Sequence, residues 1–291
     1  MKPAAFDYVV AESVDHALDV LAAAGGDAKI LAGGQSLMPM INFRLAKPAI
    51  LVDINRIAGL DTVEEHADRL TLGALVRHRV TASDPVIAAR LPMLTHAMSH
   101  VAHYTIRNRG TFVGSVCHAD PAAEMPMMAL LLNAEIRIAS TRAARRLPAR
   151  EFFVGSLTTA LAPDELVTAI DLPYVPRGAG WGFEEFARRH GDYALAAVAA
   201  TMVRRAGRAH DVRIAVMGVD EMPMRVPDAE TVLEGSDFGS RTLESAVDAL
   251  RGAIMPNSDL HASADYRRHL AGVLTRRTLT AAWARAGESV Q

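Results

Sequence analysis

The segment FDYVVAESVDHALDVLAAAGGDAKILAGGQS, from Phe6 to Ser36, decides the fold. Phe6–Ala11 reads as a short strand. Ser13 is placed to cap a helix, and Val14, Ala17, Leu18 and Leu21 then recur on one helical face until Gly25–Gly26 stops it. Lys29–Ala32 is a short buried-strand pattern that runs into Gly33, Gly34, Gln35 and Ser36, and Ala49–Asp53 is a further strand. A strand–helix–strand opening of this kind predicts a small α/β unit with a parallel sheet.

Between about Ile57 and Asp171 the pattern changes. Short strands are expected at Leu70–Gly73, Glu135–Ala139 and Leu166–Ile170, with helices at Pro85–Ala102 and Pro121–Leu132. Asp120 followed by Pro121 is a good start for the second of these helices, because Asp caps and Pro suits the first helical position. Pro173–Gly180 has the Pro and Gly content of a linker. Strand-like segments follow at Trp181–Ala187, Ala194–Val203 and Val212–Gly218, and the tail from about Ser240 to Arg285 is mostly helical. The fold class is therefore α+β, with a two-part N-terminal domain over residues 1–175. Its subdomains are a small α/β unit (1–56) and a mixed α/β unit (57–175), and residues 176–291 form a C-terminal domain of antiparallel strands with helices.

Composition removes several classes of function. Of the 291 residues, 50% are hydrophobic and 22% charged, as in a compact globular chain. The 31 basic and 33 acidic residues leave a net charge of −2, so nucleic acid is not an expected partner. The longest apolar run, Tyr193–Val203, has 11 residues where a membrane helix needs about 20. Pro3 and Asp7 stand where a signal peptide would carry an apolar core, so a cytoplasmic location is expected. The single cysteine, Cys117, excludes an internal disulfide, a cysteine-based zinc site and an iron–sulfur cluster held by this chain alone.

Three segments carry chemistry. In Ala32–Ser36, two glycines let the backbone approach a ligand and present successive N–H groups, while Gln35 and Ser36 add an amide and a hydroxyl. That suits a phosphate or pyrophosphate, and an ordinary tight turn is the competing reading. The segment from Thr105 to Glu124 combines basic residues, Gly110 and Gly114, and the hydroxyls of Thr111 and Ser115. Glu124 is placed either to accept from ribose hydroxyls or simply to favour a first helical turn. His118 and Asp120 find no third ligand at a metal-site spacing, and Cys117 sits among small apolar residues as a buried thiol. In Arg188–Tyr193, a tyrosine at a loop end can stack on a flat ring or pack as ordinary core.

In this order, AGGQSLMPMINFRLAKP (Ala32–Pro48), IRNRGTFVGSVCHADPAAEMP (Ile106–Pro126) and ARRHGDYALA (Ala187–Ala196) resemble the flavin-binding medium subunit of molybdenum hydroxylases, the family of carbon monoxide dehydrogenase, quinoline oxidoreductase and xanthine dehydrogenase. DELVTAIDLPY (Asp164–Tyr174) looks like that family's domain junction. The resemblance implies FAD on this chain, gripped at its pyrophosphate by Ala32, Gly33, Gly34, Gln35 and Ser36 and by Thr111, Phe112, Val113, Gly114 and Ser115. Lys29 and Ala102 match FAD-lining positions, Glu124 falls on the adenosine side, and Tyr193 lies in the loop that approaches the isoalloxazine. Three residues depart from the pattern: Val113 replaces a glycine, Ser115 an Asn or Asp, and Gln35 a His found in several relatives. Val113 places a Cβ where close approach is expected.

The resemblance further implies an electron-transfer subunit that takes electrons from iron–sulfur clusters and passes them to an external acceptor. A small subunit with two [2Fe–2S] clusters and a large molybdenum–pterin subunit are the expected partners, in a dimer of heterotrimers. Catalytic side chains and a metal site on this chain are not expected. The alternatives are a self-sufficient FAD oxidoreductase and a non-catalytic nucleotide-binding assembly module.

Overall fold

The computed structural model describes residues 2–287. The N-terminal unit contains β1 (Asp7–Val10), α1 (Val14–Ala23), β2 (Ala28–Leu31), α2 (Leu37–Asn42) and β3 (Ile50–Asp53). Its sheet has the order β1-β3-β2, with both pairs parallel. Ser13 caps α1 by accepting from the His16 N–H, and Ala17, Leu18 and Leu21 are buried, as the spacing predicts. All three strands run the same way, so their carboxyl ends share one edge. That edge is where ligands settle in parallel sheets.

The second unit runs through β4 (Val63–Glu65), β5 (Arg69–Gly73), α3 (His78–Ser83), α4 (Pro85–Arg90), α5 (Pro92–Met98), α6 (Tyr104–Arg107), α7 (Phe112–His118) and α8 (Glu124–Leu131). It continues with β6 (Glu135–Ala139), β7 (Ala144–Pro148), α9 (Ala149–Phe152), β8 (Phe153–Gly155), β9 (Thr158–Thr159) and β10 (Leu166–Pro173). An antiparallel sheet of order β4-β5-β10-β6-β7 forms one wall. Two expectations need correction. The single helix at Pro85–Ala102 is two helices, because Pro92 cannot continue α4 and instead starts α5, while Asp84 caps α4 through the Val86 and Ile87 N–H groups. The helix expected from Pro121 begins at Glu124, and Asp120 instead accepts from the Ala122 N–H in a turn.

The third unit holds β11 (Gly180–Ala187), β12 (Ala194–Arg205), β13 (Arg208–Met217), β14 (Met224–Arg225), α10 (Pro227–Leu233), α11 (Ser240–Ala253) and α12 (Ala264–Arg285). Its antiparallel sheet is ordered β11-β12-β13-β14. β12 is buried along almost its whole length because both faces are covered. One face, with Phe183, Ala197, Ala199, Ala215 and Met217, joins the hydrophobic core of the preceding units. The other, with Ala196, Val198, Ala200 and Met202, forms a second core with the C-terminal helices. A Cβ at Gly180 or Gly182 would strike the backbone of α12, so glycine is what lets this helix lie directly on β11.

Candidate functional site

A cleft of about 510 Å³ opens at the carboxyl edge of the parallel sheet. Ala32, Gly33, Gly34 and Gln35 form one side, and Tyr8, Asp53, Asn55, Ile106 and Arg109 complete it. Among the described residues, the amide N–H groups of Gly33, Gly34, Gln35 and Ser36 have no protein acceptor. The Ser36 hydroxyl is likewise free. A run of unclaimed amides at the end of a strand is an anion-binding arrangement. Its two glycines do different work. Gly34 has φ +71°, a backbone state that L side chains rarely adopt. Gly33 is pressed onto the next segment, since a Cβ there would lie 2.5 Å from the Arg109 carbonyl oxygen and 2.7 Å from Gly110 Cα.

This clasp is held from behind by side chains that the motif reading passed over. Tyr8 donates to Asp53, whose other oxygen accepts from the Asn55 N–H (2.8 Å) and side-chain amide (2.5 Å). The Asn55 amide also donates to the Ala32 carbonyl at 2.9 Å. Arg77 donates to the Asn55 side-chain oxygen and to the Arg109 carbonyl, both at 2.5 Å, and so ties the two glycine-bearing segments together. Burial pushes the Asp53 carboxyl upward, but the hydrogen bonds from Tyr8 and Asn55 outweigh it and hold Asp53 below the usual carboxylate range. An Asp at the carboxyl end of a parallel strand was the available sequence signal. Asn55→Ala removes the knot of this network. Hydrogen bonds of this kind contribute about 1 kcal/mol each, so flavin affinity, read by fluorescence titration of the apo chain, is expected to fall by roughly tenfold.

The second segment contains a helix start. Thr111 is the N-cap of α7, its hydroxyl accepting from the Gly114 N–H at 2.9 Å. A Cβ on Gly114 would crowd that same hydroxyl at 2.6 Å. Phe112 and Val113 point into the core and are 0% and 3% exposed. The Val113 side chain is thus part of the hydrophobic core. Ser115, one turn along the helix, is half-buried with a hydroxyl free of protein partners. Gly110 packs against the His78 ring, which is buried, touches Met98 Sδ at 3.1 Å and has its pKa pushed down to about 4 by burial. Burial raises the Cys117 thiol to about 12, so it is no nucleophile. No group of three or more metal-ligating side chains exists among the described residues.

The third segment lies outside the lining of this cleft, and Tyr193 lines a separate pocket with Pro121, Gly218 and Arg267. Gly191 sits with φ +86°, and a Cβ there would lie 2.9 Å from the Ala102 carbonyl oxygen and 2.8 Å from His103. Ala102 itself adopts φ +43°. His190 stacks on His100 with ring centroids 6.1 Å apart. The structure thus brings Ala102 and the Tyr193 turn together, and Tyr193 remains 65% exposed. Glu124, at the start of α8, is buried, and burial with the nearby Asp120 charge raises its pKa to about 7. Burial first, and then the Asp120 and Glu124 charges, push the Tyr193 phenol upward. Lys29 is the outlier: it shares a face of β2 with Leu31 but is exposed and stands outside the cleft lining.

The family described as the FAD binding domain in molybdopterin dehydrogenase matches residues 4–175. Residues 181–282 match the CO dehydrogenase flavoprotein C-terminal domain. The chain belongs to the FAD-binding medium subunits of the molybdenum hydroxylase family. It is 43% identical to the nicotine 6-hydroxylase medium subunit of Paenarthrobacter nicotinovorans over 98% of this chain and 100% of that one. It is 41% identical to subunit alpha of the 6-hydroxypseudooxynicotine dehydrogenase complex from the same organism, covering 98% and 97% of the two chains. Among solved structures, a carbon monoxide dehydrogenase from Hydrogenophaga pseudoflava superposes with a TM-score of 0.96 at 36% identity, over 99% of this chain and all of that one. The α+β architecture expected from the sequence is the architecture of this family. Its members are subunits of multi-subunit oxidoreductases, and no helix among the described residues is long and apolar enough to cross a membrane.

Proposed function

We propose that this medium subunit holds one FAD across the face where its units meet and relays electrons from the iron–sulfur clusters of a small partner subunit to an external acceptor. The carrying observation is the clasp of Gly33 against Arg109–Gly110 with four unclaimed amides beside it. In this reading the amides of Gly33 to Ser36, with the Ser36 and Ser115 hydroxyls, bind the pyrophosphate. Thr111 and Gly114 shape the start of α7, and Phe112 and Val113 anchor that helix in the core. Ala102 and Tyr193 border the flavin ring. Glu124, lying within electrostatic reach of Tyr193, serves the ring end of the site better than the adenosine end. Lys29 remains an outer contact on the sheet face beside Leu31. Bound FAD accepts electrons singly and delivers them singly or in pairs.

Cys117 is the only cysteine, so the clusters must come from a partner chain. The large molybdenum–pterin subunit completes the proposed complex, a cytoplasmic dimer of heterotrimers in which residues 1–56, 57–175 and 176–291 are the working units of this chain. The isolated chain should not oxidise the complex's substrate. The assembly-module alternative loses its main support, because Val113 faces the core. Acid precipitation is expected to release yellow FAD into the supernatant, since no His or Cys lines the cleft. Flavin retained in the pellet, or FMN in its place, contradicts the assignment. Anaerobic substrate should bleach the flavin in the co-purified complex and leave the isolated chain yellow. Bleaching of the isolated chain would favour a self-sufficient oxidoreductase.

A further inference from the structure

One wall of the cleft is an aromatic ring that the pyrophosphate grip leaves unused. In the register of the parallel sheet, Val10 of β1, Asp53 of β3 and Leu31 of β2 stand side by side, and Tyr8 shares their face two residues back along β1. The Tyr8 hydroxyl donates to Asp53. Asp53 is fixed in turn by the Asn55 N–H and side-chain amide, and Asn55 by Arg77. The polar end of Tyr8 is thus engaged by the sheet, while its ring stays 54% exposed and lines the cleft with Gly33, Gly34 and Gln35. Solitary exposed aromatic residues are ordinary. This one is held by its hydroxyl in the wall of a ligand cleft, so a flat ligand meets it without having to order it. Leu31, Met38, Pro39 and Ile106 supply apolar lining to the same cleft.

The pocket that Tyr193 lines shares no residue with this cleft. A dinucleotide gripped by its pyrophosphate at Gly33 to Ser36, with its flavin ring toward Tyr193, therefore leaves its nucleoside end in the cleft beside Tyr8. We propose that Tyr8 is the stacking platform for the adenine of FAD, held in place by Asp53 and Asn55. The proposal rests on the FAD reading above. A base laid on the ring removes two flat apolar faces from water at once, and the anchored hydroxyl fixes the plane on which it lies. Stacking of one base on an aromatic side chain is worth roughly 5–150-fold in affinity. Asp53 and Asn55 act through Tyr8 here and are positioning residues, whereas Tyr8 is the residue that touches the base.

The test titrates the full-length apo chain with FAD, with ADP and with inorganic pyrophosphate. Tyr8→Leu should weaken FAD and ADP about tenfold and leave pyrophosphate unchanged. Tyr8→Phe, which keeps the ring and loses the hydroxyl, should retain most of the wild-type affinity for both nucleotides. A fluorescent etheno derivative of ADP should be quenched on binding to wild type and to Tyr8→Phe, and not by Tyr8→Leu, a signature that a merely structural role would not give. Equal ADP affinity in wild type and Tyr8→Leu overturns the platform and leaves FAD binding intact. An equal loss of pyrophosphate affinity in Tyr8→Leu also overturns it, because the substitution then acts through the clasp. Absence of quenching in the wild-type chain overturns it without recourse to any variant. A wild-type chain that takes up no FAD overturns the flavin reading itself, and the platform with it.

Discussion

Gly33→Val is expected to purify nearly colourless while keeping a folded circular-dichroism spectrum. The added side chain starts from a Cβ placed 2.5 Å from the Arg109 carbonyl oxygen and 2.7 Å from Gly110 Cα. Those atoms cannot step aside cheaply. The Arg109 carbonyl is already held by Arg77, Gly110 N–H donates to the Ile106 carbonyl at 2.8 Å, and Gly110 packs on the buried His78 ring. The Ala32–Ser36 loop must yield instead, carrying its free amides away from the cleft. Overpacking of this kind costs about 1–3 kcal/mol, equivalent to roughly 5–150-fold in FAD affinity. The flavin-to-protein absorbance ratio checks it, and wild-type flavin content in the variant would show that the clasp does not shape the site. Gly252→Ala is the natural control, because a Cβ there meets nothing within 4 Å.

The second large effect is on stability. Asp171 in β10 is 2% exposed and accepts from Thr71 at 2.6 Å, from Arg137 at 2.6 and 2.8 Å, and from Arg146 at 3.2 Å. Asp171→Ala leaves Arg137 without its carboxylate, removes the 3.7 Å ion pair of Arg69 and takes the acceptor from the buried Thr71 hydroxyl, while Arg146 keeps Glu135 at 2.8 Å. Removing one partner of a buried pair costs about 3–5 kcal/mol, and the arginines' partial access to water places the value near the lower end. The urea midpoint should fall accordingly, and an unchanged midpoint would refute a structural role for the network. Burial pushes the Asp171 carboxyl upward, but the hydrogen bonds from Arg137 and Thr71 hold it below the usual range. For a depressed acid the stabilisation is complete above the unfolded pKa. It is lost as pH falls through the folded value, so wild type and variant should converge in acid.

Periodicity made the N-terminal strand–helix–strand unit legible, because α1 buries one stripe and its caps are explicit in Ser13 and Gly25–Gly26. β4 and β7 were not legible. Their sequences, VEE and ARRLP, are edge-strand sequences whose charged side chains face water and so carry no apolar alternation. α7 was hidden for a different reason. Gly114 at its third position reads as loop, yet the structure needs that glycine to leave room for the Thr111 cap. Within the candidate site, residues that act through their own backbone were visible as motifs. Tyr8, Asp53, Asn55 and Arg77 were not, because their roles depend on contacts between positions 22 to 45 residues apart.

The face of β11, β12 and β13 that carries Phe183, Ala197, Ala199, Ala215 and Met217 is shared property of the two halves of the chain. This constrains how the protein can be rebuilt. A graft that exchanges only the C-terminal half with a relative would swap one side of a continuous core and leave mismatched volumes against Met98, Met125 and Met128. A workable chimera must move the apolar face of the sheet together with the helices α5 and α8 that press on it. The inheritable module in this family is then the packed layer itself, and the boundary between the two family matches near residue 180 marks where the chain crosses it rather than where the protein can be cut.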